Sequence, residues 1–150
     1  MAQDRPVEER IERRLRDPKV ARDVQTLADF TRIWCVGRHK GSERHPVSTT
    51  AARLGVYGRR IPSLCSECEA HLAYAEKRRA CCPKDPKPFC ARCDTHCYRP
   101  DEREWQRQMM RYSGPRSVLC GHAIDAIRHA AAARRHRAAR RAGRSREEGR

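Results

Sequence analysis

Apolar positions fall at helical spacing in four stretches of this chain. Asp17-Pro18 reads as an N-cap followed by proline in the first helical turn. Val20, Val24, Leu27, Thr31 and Trp34 then recur with Ala28 beside them, which predicts a helix ending near Gly37 or Gly41. A second helix is expected to start around Ser63 to Ser66, where Ser66 and Glu69 have capping-box spacing and Leu64, Cys68, Leu72 and Ala75 line the inner face. Pro100 opens a third, with Asp101 and Glu102 at the positive end of its dipole and Trp105, Met109 and Tyr112 as its stripe. Gly114-Pro115 is expected to break the chain and begin a fourth, carrying Leu119, Ala123, Ala126, Ile127 and Ala130 on one face.

The intervening segments lack such a face. Residues 42–61 mix Gly, Ser, Thr, Pro and Arg without periodicity and read as a loop. From Cys81 to Tyr98 there are three prolines and five cysteines, a composition that argues against regular structure and for some other means of holding the segment. The predicted fold is mainly α: a small helical domain, residues 18–133, around an irregular cysteine-rich metal-binding knuckle. Residues 1–17 read as a charged, solvated extension, partly helical at most. Residues 134–150, with eight Arg and two Glu, read as a disordered Arg-rich tail.

At 150 residues the chain is one domain with tails, and at 5% aromatic content its core is lean. A lean core is commonly supplemented by a metal or by disulfides. No apolar run approaches the ~20 residues of a membrane span, and MAQDRPVEERIERR lacks the apolar region of a signal peptide. The expectation is a cytoplasmic protein with no membrane association. In that reducing compartment nine cysteines, an odd number, point to metal ligands rather than to a disulfide framework. The formal charge of +15, reduced by ionised ligand thiolates, favours an acidic partner or nucleic acid, engaged through the Arg-rich tail. No Ser/His/Asp pattern, phosphate-binding glycine loop or catalytic carboxylate pair marks a conventional enzyme.

The cysteines carry the chemistry. The central run is Cys65-x2-Cys68-x13-Cys82-x7-Cys90-x2-Cys93-x3-Cys97. Two side chains three residues apart can close on one ion or one cluster edge, and the two CxxC pairs lie 21 residues apart, close to the range for zinc sites. These six cysteines are the expected metal ligands. Zinc accepts four tetrahedral thiolates, so Cys65, Cys68, Cys90 and Cys93 would suffice for one ion, and all six could share two. A 4Fe-4S cluster also takes four, and Cys90, Cys93 and Cys97 could grip three irons with a distant cysteine completing the set. Lys77-Arg78-Arg79 would favour the thiolates of Cys81 and Cys82. Cys35 and His39 are expected as non-ligands, His96 as a hydrogen-bonding neighbour of the ligands, and Cys120 as a small core residue.

The stretches Leu64-Cys65-Ser66-Glu67-Cys68, Cys90-Ala91-Arg92-Cys93, His96-Cys97-Tyr98-Arg99-Pro100, Met110-Arg111-Tyr112-Ser113-Gly114-Pro115-Arg116 and Ala126-Ile127-Arg128-His129 resemble the nitrous oxide-stimulated promoter family of small bacterial proteins. The resemblance runs from about Lys19 to His129. It implies a cytoplasmic protein associated with nitrosative stress, and so favours an iron–sulfur cluster, whose thiolate-bound iron reacts with nitric oxide, over zinc. The family's name describes how a promoter responds and does not imply promoter binding. All six central cysteines sit at cysteines of the family pattern, Cys35 and His39 match it as well, and Cys81 and Cys120 have no counterpart.

Overall fold

The computed structural model describes residues 5–84, 87, 90 and 93–148. Among them six helices and one two-stranded ladder are formed, in the order α1 (Arg5–Leu15), α2 (Pro18–Arg38), β1 (His45–Pro46), α3 (Thr50–Arg53), β2 (Ser63–Leu64), α4 (Ser66–Cys81), α5 (Pro100–Ser117) and α6 (Ala123–Glu148). The mainly α architecture is as expected. The chain divides into two compact units, one running to Ser113 and the other from Gly114.

In the first unit α2 and α4 pack on each other through the stripes their sequences display. Asp17 caps α2, accepting from Lys19 N at 2.8 Å and Val20 N at 3.4 Å, with Pro18 in the first turn. Val20, Val24, Ala28, Thr31 and Trp34 are buried, and Leu64, Cys68, Leu72 and Ala75 face them. Arg79 of α4 reaches back to Asp23 of α2, Nε to Oδ2 at 2.5 Å. Met109 of α5 is fully buried, and Trp34 meets Trp105 and Tyr112 edge-on. Gly37 allows this approach: a Cβ there would stand 2.7 Å from Tyr112 Cζ.

Four expectations change. Residues 1–17 contribute α1, which buries Ile11 and Leu15 in the core and donates from Arg14 Nε to Ala80 O at 3.4 Å. Two apolar side chains among charges were too sparse to register as a stripe. Residues 42–61 are not wholly irregular. β1 pairs antiparallel with β2, and Thr49 caps the short α3 by accepting from Ala52 N at 3.3 Å. The N-cap of α4 is Cys65 rather than Ser66, with Glu69 accepting instead from Ser48 N at 2.7 Å. Gly114-Pro115 does not break the chain: α5 continues to Ser117, and a 3-10 turn at Val118–Cys120 followed by Gly121 at φ +94° makes the break.

In the second unit α6 carries helix through the Arg-rich segment to Glu148, where no structure was expected. Leu119, Ile124, Ile127 and Cys120 are exposed there, so Cys120 is not a core residue.

Candidate metal centre

The last turn of α2 brings Cys35 and His39 together, because residues four apart share a helical face. The ladder then sets the second half of the site. Pairing of His45 with Leu64 and of Pro46 with Ser63 delivers the chain to Cys65, which begins α4, and Cys68 lies in its first turn. The Sγ atoms of Cys35, Cys65 and Cys68 and a ring nitrogen of His39 consequently all lie within 4.8 Å of one another. His39 Nδ1 is 3.3 Å from Cys65 Sγ and 3.4 Å from Cys68 Sγ, and Cys65 N donates to Cys35 Sγ at 3.4 Å. All three cysteines are buried and His39 is half-buried.

The surroundings suit thiolate. Cys65 and Cys68 sit at the positive end of the α4 dipole. Arg44 donates from Nη2 to Cys35 O at 3.2 Å and His39 O at 3.0 Å. Burial alone would raise the Cys35 thiol pKa, but hydrogen bonds from Cys65 N, Arg44 and the neighbouring thiols outweigh it and lower the value. Burial pushes Cys68 the other way, reinforced by the negative charge of Cys35. With Nδ1 turned to the sulfurs, His39 Nε2 faces Glu67 Oε1 at 4.0 Å, a carboxylate placed to orient the ring.

Of the six expected ligands, only Cys65 and Cys68 belong to this group. Cys35 and His39, expected as non-ligands, supply the other two donors. Cys82 closes the far end of α4 as its C-cap. At about 1.5 Å of rise per residue, the helix separates Cys68 from Cys82 by roughly 20 Å. The six therefore do not meet at one point. Cys82, Cys90, Cys93 and Cys97, with Cys81 and His96, line a separate cavity of ≈ 290 Å³. Arg78, Lys84 and Lys87 complete its wall. The signal that could have found the first group was Cys35-x3-His39 at a helix end, an i, i+4 pair one turn long.

A helical protein with three thiols and an imidazole converging on one point belongs to the class that can hold a metal ion through a Cys3His set. This chain belongs to the family described as nitrous oxide-stimulated promoter, whose model matches residues 18–142. It is also similar to the uncharacterized protein YgbA of Escherichia coli strain K12, at 38% identity over 85 residues, covering 54% of this chain and 72% of that protein. No solved structure matches. No helix among the described residues is long and apolar enough to cross a membrane.

Proposed function

We propose that this is a cytoplasmic metal-binding protein of the nitrosative-stress response, in which Cys35, His39, Cys65 and Cys68 hold a single zinc ion that locks α2 to α4. The observation that carries the reading is the convergence of four donor atoms within 4.8 Å. That spacing suits one tetrahedral ion. A four-iron cluster is a poorer tenant of this set, because each of its irons takes its own ligand and the donors must splay around a body several atoms wide. Three thiolates and Zn²⁺ carry one net negative charge, which Arg44 offsets.

The family supplies the biological setting, and unpaired thiols at all nine cysteines suit a reducing compartment. Purified protein should retain about one zinc per chain through dialysis, and cobalt in its place should give the intense visible bands of a tetrahedral thiolate site. A metal-free chain that melts unchanged with and without chelator would overturn the structural-metal reading. Cells lacking the protein should grow poorly under a nitric oxide donor, and Cys35→Ser should fail to restore them.

A second reading, an acidic partner or nucleic acid, is supported by the exposed Arg134, Arg135, Arg137 and Arg140 along α6. Truncation after Ala133 should then remove most salt-dependent binding to a mixed-sequence duplex.

A further inference from the structure

Four of the six cysteines outside the Cys3His group, Cys82, Cys90, Cys93 and Cys97, stand around one space, and contacts on both sides of it position them. Cys82 is held by the end of α4. A turn in which Cys93 N donates to Cys90 O at 3.2 Å keeps that pair together. Cys97 lies between His96 and Tyr98, whose rings meet edge-on, and Tyr98 packs edge-on against Tyr74 of α4. Tyr74 also accepts from Arg99 N at 3.0 Å, with the guanidinium groups of Arg78 and Arg99 over its ring. Lys84 pairs with Asp94, joining the two flanks of the cysteine segment.

We propose that Cys82, Cys90, Cys93 and Cys97 form a second metal centre, which takes a four-iron, four-sulfide cluster. Three observations carry it. The donors are four thiols, the ligand set of such a cluster. They ring a cavity of ≈ 290 Å³ rather than closing to single-ion reach as the Cys3His donors do, so there is room for a body with an iron at each corner. The wall contributed by Arg78, Lys84 and Lys87 is cationic, and a cluster with four thiolates carries net negative charge in its oxidised form. Cys81 and His96 also face the cavity but stand outside this set of four. The proposal is independent of which ion the Cys3His group holds, because α4 keeps the two apart.

The test uses the full chain, already loaded with zinc, incubated anaerobically with ferrous iron, sulfide and a thiol reductant. About four irons and four sulfides per chain should be gained, with broad visible absorption, while the zinc content stays unchanged. Cys93→Ser combined with Cys97→Ser should lose that iron, sulfide and absorption, and keep its zinc and its helical circular dichroism. Cys81→Ser and His96→Ala should load as the parent does. Uptake of a second zinc in place of iron and sulfide by the parent would overturn the cluster. Full iron loading of the Cys93/Cys97 variant would overturn the ligand assignment, and loss of its zinc would overturn the separation of the two centres. Failure of the parent to hold any zinc, with iron and sulfide still bound, would instead count against the Cys3His reading alone.

Discussion

At the N-terminal end of α4 three thiols and an imidazole close on a point among buried side chains; at its C-terminal end four thiols stand around an open space walled by lysine and arginine. The donors of the first group come from a helix end, a strand end and a helix start, each already fixed by backbone hydrogen bonds and core packing. Those of the second come from the C-cap of α4 and from Cys90, Cys93 and Cys97 beyond it. An ion at the first end would complete a scaffold that packing already builds, whereas a cluster at the second would tie the end of α4 to the residues that follow it. As proposed, similar ligand chemistry would lend rigidity at one end and leave room for a cluster at the other.

The largest effect should follow from breaking the first end. Serine at both Cys65 and Cys68 removes two donors and the bond between α2 and α4, and binding and folding of such a site are coupled. We expect a loss comparable with the whole stability of a domain this size, about 5–15 kcal/mol, seen as the absence of a cooperative melt. Leu72→Ala tests the stretch between the ends. Leu72 is 1% exposed in the α2–α4 interface, and its truncation should cost about 3 kcal/mol by thermal or urea unfolding without changing metal stoichiometry.

Glu76, farther along α4, sharpens the comparison through pH. Its carboxylate accepts from Tyr57 Oη, from Thr49 Oγ1 at 2.7 Å and from Ala51 N at 3.2 Å, yet burial outweighs these bonds and raises its pKa. The folded chain thus keeps this proton to higher pH than the unfolded chain. The group's contribution is complete below the ordinary carboxylate range and is lost as pH rises through the raised folded value. Glu76→Gln, which resembles the protonated carboxyl, should match the parent to within about 1 kcal/mol in acid and gain on it as pH rises, read from urea unfolding at each pH. The smallest effect belongs to the second end. In iron-free protein, Cys90→Ser with Cys93→Ser should shift thermal stability by less than about 0.5 kcal/mol, since Cys90 is exposed, Cys93 is half-buried and both lie outside the core cluster.

Much of the fold was legible where a stripe was long. Val20 to Trp34 and Leu64 to Ala75 repeat often enough for helical period to identify both the element and its buried face. Ile11 and Leu15 could not be read this way, since two residues define no period and their burial comes from the packing of α1 against α4, α2 and α3. Gly114-Pro115 misled because local breaker chemistry yielded to a helix continuing through it. At the site the CxxC pair of Cys65 and Cys68 was visible from spacing, and its partners were not. Cys35 and His39 lie some 26 residues away or more, and only the β1–β2 pairing brings the two halves together. Sequence proximity instead suggested Cys90 and Cys93, which belong to the other end of a rigid rod.

Arg44 has a consequence of a different kind. Its Nη2 spans the carbonyls of Cys35 and His39, and the amide of His39 is itself bonded to Cys35 O at 3.0 Å. One guanidinium thus caps the end of α2 beside the sulfurs, so the last turn of the helix and the metal donors share the same contacts. With an ion bound as proposed, the amide protons of that turn should exchange with solvent deuterium more slowly than after treatment with chelator.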